Sequence, residues 1–168
     1  WWSVGRRDMI LRLLEAAHVG PDARIIDVGC ASGRLVELLG QRGYGHVTGV
    51  DISETAIAEC RARGLEDVHV MPADALDQPD ERFDVVIASD VLEHIEDDRA
   101  ARLEWRRVLA PGGRIIIFVP AHMYLWSHHD LVNHHYRRYD RRELEARIRE
   151  AGLRLERISG WNLALLPP

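Results

Sequence analysis

The chain has 168 residues, of which 46% are hydrophobic, so it can bury one core but is too short for two ordinary domains. Its formal charge of -5, from 22 basic and 27 acidic residues, gives no overall attraction to nucleic acid or to an anionic membrane. A local basic strip could still act on such a polyanion; it comprises Arg137, Arg138, Arg141 and Arg142. The composition therefore predicts a single domain, residues 1–168, that does not act on nucleic acid.

The cysteine count bounds the redox environment. Cys30 and Cys60 are too few for a disulfide framework, and neither has a CxxC partner typical of zinc or redox sites. No apolar run approaches the roughly 20 residues that span a bilayer. We therefore expect a cytoplasmic protein without a membrane span.

The first part of the chain alternates helical and strand patterns. Ile10, Leu13, Leu14 and Ala17 recur at helical spacing up to a stop at Gly20-Pro21. Short β-rich runs then predict four strands, at residues 24–28, 46–50, 68–71 and 83–88. Helical periodicity lies between the first three strands, and Ser53 is a suitable N-cap for the second of these helices.

The second part continues the alternation and then departs from it. Asp97 or Asp98 can cap a helix that Pro111-Gly112-Gly113 stops before a fifth strand at residues 114–119. Residues 121–139 form a polar, aromatic and His-rich stretch too long for a plain connection, which is typical of a functional lid. A helix from Asp140 and a sixth strand at residues 153–158 follow.

This order predicts a Rossmann-like, doubly wound α/β fold with a mostly parallel sheet and helices on both faces. Ligands of such sheets bind at the carboxyl ends of the strands. After the sixth strand only residues 159–168 remain, so a final antiparallel strand is expected to be missing. The sheet would then have an exposed edge, which a second copy of the chain could cover as a homodimer.

The turn after the first strand reads Asp27-Val28-Gly29-Cys30-Ala31-Ser32-Gly33. A dinucleotide fingerprint requires G-x-G-x-x-G, but Ala31 and Arg34 stand at its second and third glycine positions. Asp27 would repel a pyrophosphate and suits a cationic ligand such as S-adenosylmethionine, which has a sulfonium, an ammonium and no phosphate. A bare tight turn and a nicotinamide-dependent oxidoreductase are the alternatives.

Two further acidic residues follow predicted strands. Asp51 lies 18 residues beyond Gly33, close to the distance at which a carboxylate accepts ribose hydroxyls in Rossmann sites. Asp74, after the third strand, is placed to accept from an adenine amino group, with the backbone of Ala75 nearby. Each could instead be a solvated loop acid.

Five segments in order carry a family resemblance: IIDVGCASG, TGVDIS, PADAL, FDVVIASDVLEHIEDD and RRVLAPGGRIIIFVP. They resemble the motifs of class I S-adenosylmethionine-dependent methyltransferases, over about residues 24 to 120. The similarity is strongest to the bacterial branch of type 11/12 domains that includes the ubiquinone and menaquinone biosynthesis enzymes. In bacterial members of unassigned substrate, segments like WWSVGRR and LWSHHDLVNHHYRRY also recur. Ala31 departs from the motif, which usually has glycine there.

The resemblance implies a set of cofactor contacts. Those at the methionine end are Asp27, Gly29, Cys30, Ala31 and Gly33. Those at the ribose and adenine are Asp51, Ile52, Asp74 and Ala75, and those beneath the sulfonium are Asp90 and Val91. Arg6 is a weaker candidate for the cofactor carboxylate. S-adenosylhomocysteine would be the product of the cofactor.

Methyl transfer depends mainly on positioning, and a base is needed only for a protonated acceptor. His94 and His135 are the candidate catalytic bases, with His129 as a rival, although each could be structural. We expect the lid to contact the substrate through Trp126, Asp130, His135, Arg138 and Tyr139. Alternatively, Tyr124, Trp126 and Tyr139 pack the lid on the core while Asp130 pairs with an arginine such as Arg138.

The histidines between residues 122 and 135 suggest a metal site, but adjacent histidines cannot both face one ion on a regular element, so no metal is expected.

The leading hypothesis is a methyltransferase acting on a small molecule at oxygen, nitrogen or carbon. A non-catalytic module that binds S-adenosylmethionine is the alternative.

Overall fold

The computed structural model describes residues 2–160 of the chain. Within them, the helices are α1 (Trp2–Ala16), α2 (Arg34–Gln41), α3 (Glu54–Ala62), α4 (Asp98–Val108), α5 (His128–Val132) and α6 (Arg141–Glu150). The strands are β1 (Arg24–Val28), β2 (His46–Asp51), β3 (Val68–Val70), β4 (Phe83–Ser89) and β5 (Leu109–Phe118). Short 3-10 turns at Leu92–His94 and Met123–Leu125 complete the elements.

The five strands form one parallel sheet in the order β3-β2-β1-β4-β5. Chain order reverses at β1, so the crevice of this doubly wound fold opens between the carboxyl ends of β1 and β4. Val28 pairs with Val50 on one side and with Ala88 on the other, which sets the ends of β1, β2 and β4 level. The predicted Rossmann-like fold is confirmed.

Both faces of the sheet are covered because successive strand residues point to opposite sides. One cluster joins Ile25, Val85 and Ile87 to Ile10, Leu11 and Leu14 of α1 and to Leu35 and Leu39 of α2. The other joins Ile26, Val28, Val86 and Ala88 to Ala101, Trp105 and Val108 of α4. Tyr139 and, more peripherally, Leu144 of α6 complete this second cluster.

Two helix caps agree with the sequence. The Ser53 side chain accepts a hydrogen bond from the Ala56 amide at 3.2 Å, and Asp97 accepts from the Ala100 amide at 3.1 Å. Of the two alternatives for α4, Asp97 is therefore the cap. Asp98 lies inside the fold, 3% exposed, and pairs with Arg102.

The predicted sixth strand is wrong, because residues 153–160 form no strand. Leu153 packs against the core and Glu156 pairs with Arg114 of β5 at 3.2 Å, so side chains connect this segment to the rest of the fold. Alternating exposure indicates an extended chain but does not specify a backbone ladder. No antiparallel strand occurs within residues 2–160, and the prediction about a seventh strand rests on residues 161–168, outside the described part.

The fifth strand also begins earlier than its pattern predicts. It starts at Leu109, directly after α4, and its pairing with β4 shifts between Phe83 and Val85. Pro111, Gly112 and Gly113 therefore lie at the start of a strand rather than ahead of it.

No helix among residues 2–160 combines the length and apolarity that crossing a membrane requires.

Candidate functional site

The glycine turn after β1 is wound tightly against the end of β2. The amides of Gly29 and Cys30 both donate to the Val50 carbonyl, at 2.8 and 2.9 Å. Gly29 has a φ of 72°, and a Cβ there would overlap the Val91 side chain. Glycine is therefore required at Gly29 both by backbone conformation and by the close approach of β4's end.

Ala31 is the departure from the family pattern. Its φ of 46° lies in the left-handed region, where glycine is usual and where another residue costs about 1 kcal/mol or more. The Ala31 amide donates to Asp51 at 2.8 Å, and the Cys60 thiol lies 3.4 Å from the Ala31 carbonyl. Both backbone groups of Ala31 are thus satisfied, which stabilises this conformation.

Asp51 connects the end of β2 to the glycine turn. One carboxylate oxygen accepts from the Ala31 amide at 2.8 Å and the other from the Ser53 amide at 2.9 Å. A carboxylate has about four acceptor positions, so each oxygen retains one for a ligand hydroxyl. The neighbouring Ile52 side chain is 74% exposed and presents an apolar surface beside this carboxylate.

Asp27 is buried at the end of β1. Its side chain is 4% exposed, and burial, with a smaller contribution from Asp51, raises the pKa of the carboxyl to about 7. Burial also raises the pKa of the Cys30 and Cys60 thiols, so both stay protonated and are poor nucleophiles. A cation would stabilise ionised Asp27, which fits a ligand with a sulfonium or an ammonium group.

Asp90 and Val91 lie just beyond β4. Asp90 has a φ of 55° and forms an ion pair with Arg6 of α1. Burial lowers the pKa of Arg6, while the charge of Glu93 acts in the opposite direction. The pair brings α1 to the site, and a contact between Arg6 and a cofactor carboxylate stays a prediction.

Asp74 and Ala75 are exposed on the loop after β3. The Ala75 amide donates to the Pro72 carbonyl at 3.3 Å, and the indole of Trp105 donates to the Ala73 carbonyl at 2.8 Å. The buried Trp105 therefore anchors this loop, leaving the Asp74 side chain at the surface.

The predicted lid, residues 121–139, is closed on itself at its base. Ala121 bridges Tyr139, the His122 amide donates to the Tyr139 carbonyl, and the Tyr139 amide donates to the Pro120 carbonyl. The Tyr139 side chain is 2% exposed, and its hydroxyl donates to Asp98 at 2.9 Å. This geometry favours packing over substrate contact for Tyr139, as the alternative interpretation of the lid proposes.

Asp130 is the centre of the lid and is fully buried. It accepts from the Ser127 amide at 2.8 Å and from the Arg138 guanidinium at 2.8 and 2.9 Å. These donors, with His135, hold the pKa of Asp130 well below its usual range despite burial. Nδ1 of His135 lies 3.0 Å from Asp130, so the ionised carboxylate orients that imidazole.

His135 of the lid contacts His94, which follows β4. Their ring centroids are 4.6 Å apart and the rings are nearly perpendicular, at 88°. His94 is exposed, and partial burial together with His135 lowers its pKa. A hollow of about 400 Å³ opens here, lined by His94, Leu131, His134, His135 and Tyr136.

Glu93, which the sequence pattern did not single out, lies close to both rings. Its side chain is 1% exposed, and burial raises the pKa of the carboxyl to about 7. Potential ligand atoms of Glu93, His94 and His135 lie within 4.8 Å of one another, close enough to hold a metal ion. Glu93 was visible only as part of Leu92-Glu93-His94, and nothing in that pattern indicates burial.

The structure therefore brings the predicted residues together in two groups. Asp27, Asp51 and Asp90 lie at the level ends of three neighbouring strands, and His94 and His135 lie together at the hollow. Trp126 is half-buried, and it does not line the hollow; nor do Arg138 and Tyr139.

Residues 26–117, just over half of the chain, match the protein family described as "Methyltransferase domain". The chain therefore belongs to this family. Together with the fold and the acidic crevice, this places it among the class I S-adenosylmethionine-dependent methyltransferases, with S-adenosylmethionine as the cofactor.

Several curated relatives are called ubiquinone biosynthesis O-methyltransferase. That of Xylella fastidiosa (strain 9a5c) is 33% identical over 159 residues, which cover 83% of this chain and 64% of that protein. That of Pseudomonas aeruginosa (strain UCBPP-PA14) is 30% identical over 156 residues, which cover 82% and 67%. The chain thus spans about two thirds of the length of these relatives.

The similar solved structures include the following two. The [4+2]-cyclase SpnF is 25% identical with a TM-score of 0.74, covering 87% of this chain and 56% of that one. An S-adenosylmethionine dependent methyltransferase from Mesorhizobium loti is 29% identical with a TM-score of 0.53, covering 57% and 46%.

Proposed function

We propose that the protein transfers the methyl group of S-adenosylmethionine to a hydroxyl oxygen of a small molecule. The observation that carries the proposal is the position of Asp27, Asp51 and Asp90 at the ends of three neighbouring strands around a glycine turn. This acidic crevice suits a ligand with two cationic groups and no phosphate.

The chain's own residues would hold the cofactor along the crevice. Asp51 has acceptor positions left for ribose hydroxyls, and Ile52 offers an apolar surface to the adenine. The remaining proposed contacts are Arg6, Asp27, Gly29, Cys30, Ala31, Gly33, Asp74, Ala75, Asp90 and Val91. When bound, the cofactor supplies a methyl group on a sulfonium, which a nucleophile can attack in line.

The hollow beside His94 and His135 is the proposed acceptor site. A volume of about 400 Å³ suits a small molecule, and Leu131 and Tyr136 give it apolar walls. Asp130 orients His135 so that one ring nitrogen can accept the hydroxyl proton. Oxygen is proposed over nitrogen and carbon because both relatives are named O-methyltransferases.

The lid, residues 121–139, would shield this site from water. His135 is its proposed catalytic contact, and Trp126, Asp130 and Arg138 are proposed to shape the acceptor site. A contact between Tyr139 and the substrate stays a prediction, since the Tyr139 hydroxyl already donates a hydrogen bond to Asp98 in the core. A cytoplasmic location and a homodimer that covers the β5 edge also remain proposals.

A second candidate function is cyclisation, because SpnF, a protein of similar fold, is named a [4+2]-cyclase. A module that binds S-adenosylmethionine without transferring its methyl group belongs to the same group of alternatives.

Two measurements test the proposal. Calorimetric titration with S-adenosylmethionine and, separately, with NAD should show binding of the first alone. Incubation with methyl-labelled cofactor and a metabolite extract, and then with a panel of phenols, should yield a labelled product that carries a new methyl ether. Cofactor binding without any labelled product would favour the cyclase or binding-module alternative.

A further inference from the structure

Glu93 is a buried carboxyl group without an evident structural task. Its side chain is 1% exposed, and Oε2 has no hydrogen-bond partner among residues 2–160. A buried polar atom without a partner is unfavourable, and native folds rarely keep one unless an ion, a ligand or water completes it. The fold therefore leaves one carboxylate oxygen open to such a group.

Two imidazoles converge on the same point. Potential ligand atoms of Glu93, His94 and His135 all lie within 4.8 Å of one another. Glu93 and His94 belong to the 3-10 turn after β4, whereas His135 belongs to the lid. The expectation of no metal concerned adjacent histidines on one element, so it does not apply to two histidines from separate segments.

A second set of contacts orients both rings. Nδ1 of His135 lies 3.0 Å from the buried Asp130, which Arg138 holds in turn, so Nε2 is the nitrogen left for a ligand. The His94 ring is hydrogen-bonded to the Asn133 backbone. Imidazoles that bind a metal ion usually donate their other ring N–H to a carboxylate or a backbone carbonyl in this way.

The charges around the cluster favour a cation. Arg6 is paired with Asp90, and Arg138 is paired with Asp130. These pairs leave Glu93 without an ion-pair partner of its own, although the Arg6 charge acts on it from α1. With neutral imidazoles, the three carboxylates and two guanidiniums carry one unmatched negative charge. A divalent cation would complete a site that the surrounding residues leave negative.

We propose that Glu93, His94 and His135 bind one divalent transition-metal ion, for which Zn²⁺ is the best match. One carboxylate and two imidazoles suit Zn²⁺, whereas Mg²⁺ prefers a set of oxygen ligands. Three protein ligands leave a fourth position open, as in catalytic rather than structural zinc sites. Because His94 and His135 line the hollow, that open position would face the proposed acceptor site.

The role of the ion in the reaction rests on the proposed function, methylation of a hydroxyl group. An ion at the open position would bind the acceptor hydroxyl and lower its pKa, so that its proton leaves to solvent. The oxygen–carbon bond then forms while the carbon–sulfur bond breaks with its electron pair left on sulfur. In this form of the enzyme His135 is a ligand, and the ion takes the place of the base.

Titration calorimetry of the chain without cofactor, with Zn²⁺ alone as the probe, tests the site. We expect one ion per chain and an affinity for Mg²⁺ at least about tenfold weaker. Glu93→Gln and, separately, His135→Asn should each weaken Zn²⁺ binding at least about tenfold. The matched controls, Glu96→Gln and His134→Asn, change exposed neighbours and should stay within about threefold of the parent. Equal losses in ligand variants and controls would overturn the proposal.

A measurement on the parent chain makes the test independent of how any variant folds. Nitrogen-15 NMR should show that Zn²⁺ shifts Nε2 of His135 while Nδ1 keeps its hydrogen bond with Asp130. The His94 ring should shift at the same ion concentration. Shifts confined to His129 and His134, or no shift of any ring, would overturn the site.

Turnover distinguishes this inference from the proposed function. In the methyl-labelling assay, removal of the ion by chelation should slow product formation at least about tenfold, and added Zn²⁺ should restore it. The affinity for S-adenosylmethionine should stay within about threefold throughout. Turnover that chelation leaves unchanged would overturn the catalytic role of the ion. Zn²⁺ binding as expected, with no labelled product under any condition, would instead refute the proposed function and leave the metal site supported.

Discussion

Replacing Asp51 tests the central contact of the cofactor crevice. Its two carboxylate oxygens accept the Ala31 and Ser53 amides at 2.8 and 2.9 Å, so the residue joins the glycine turn to β2 before any ligand binds. Asp51→Ala removes both of these acceptors and the two positions proposed for ribose hydroxyls. Asp51→Asn has the same size but can keep only one acceptor oxygen.

The magnitude follows from these bonds. A hydrogen bond to a charged group contributes about 1.5 to 3 kcal/mol, with the lower end appropriate at a partly exposed site such as this. Losing the ribose contacts should therefore weaken S-adenosylmethionine binding at least about tenfold, equivalent to about 1.4 kcal/mol. Losing the two amide contacts should lower the free energy of unfolding by about 1 to 3 kcal/mol, which a folded domain can tolerate.

Calorimetric titration with S-adenosylmethionine, together with urea unfolding of the ligand-free chain, measures the two effects separately. Glu54→Gln is the matched control, because Glu54 is an exposed acid three residues away. We expect Asp51→Asn to lie between the parent and Asp51→Ala in both measurements. Affinity within about threefold of the parent in Asp51→Ala would refute the placement of the ribose.

Three further predictions follow from the site. Gly29→Ala should lower the free energy of unfolding by about 1 to 3 kcal/mol more than Gly64→Ala in urea unfolding, because both have positive φ but only Gly29 faces a side chain; equal losses would contradict this. Burial raises the pKa of Asp27 to about 7, above its unfolded value, so its contribution to stability falls as the pH rises from about 4 to about 7. Affinity for the cationic cofactor should instead rise over about pH 5.5 to 7.5, because Asp27 becomes ionised. Asp27→Asn should flatten the pH dependence of both stability and affinity. If both pH dependences stay unchanged in this variant, another group is responsible for them. His135→Gln should abolish turnover with cofactor affinity within about threefold, whereas Tyr139→Phe should lower thermal stability and spare the acceptor affinity; selective loss of acceptor affinity in Tyr139→Phe would return that residue to the substrate site.

The order of elements was predictable because it depends on local patterns. The strands predicted at 24–28 and 83–88 are β-rich and mostly apolar runs, as strands covered on both faces should be, and Ser53 caps α3 as expected. Alternation of strands and helices with right-handed crossovers then leaves few topologies besides the observed one. For the same reason the sequence predicts that residues at the ends of β1, β2 and β4 bind a ligand, and this stays a prediction.

The wrong sixth strand shows where local pattern stops being informative. Residues 153–158 alternate apolar and polar side chains as a strand does, yet ladder formation depends on a partner's backbone groups. Arg114 and Glu156 connect the segment to β5 through side chains instead. Similarly, the Tyr139 hydroxyl finds its partner at Asp98, 41 residues away, which no spacing within the lid indicates.

The sequence by itself determined the fold class, the glycine turn and the identity of the acidic residues that follow the strands, because each depends on periodicity or on neighbours in the chain. Only the tertiary structure decided that Asp130 binds Arg138 and orients His135, and that Glu93 is buried with its Oε2 atom unpartnered among residues 2–160. Burial and desolvation depend on how separate segments of the chain pack together. From the sequence alone Glu93 therefore cannot be told apart from an exposed loop acid.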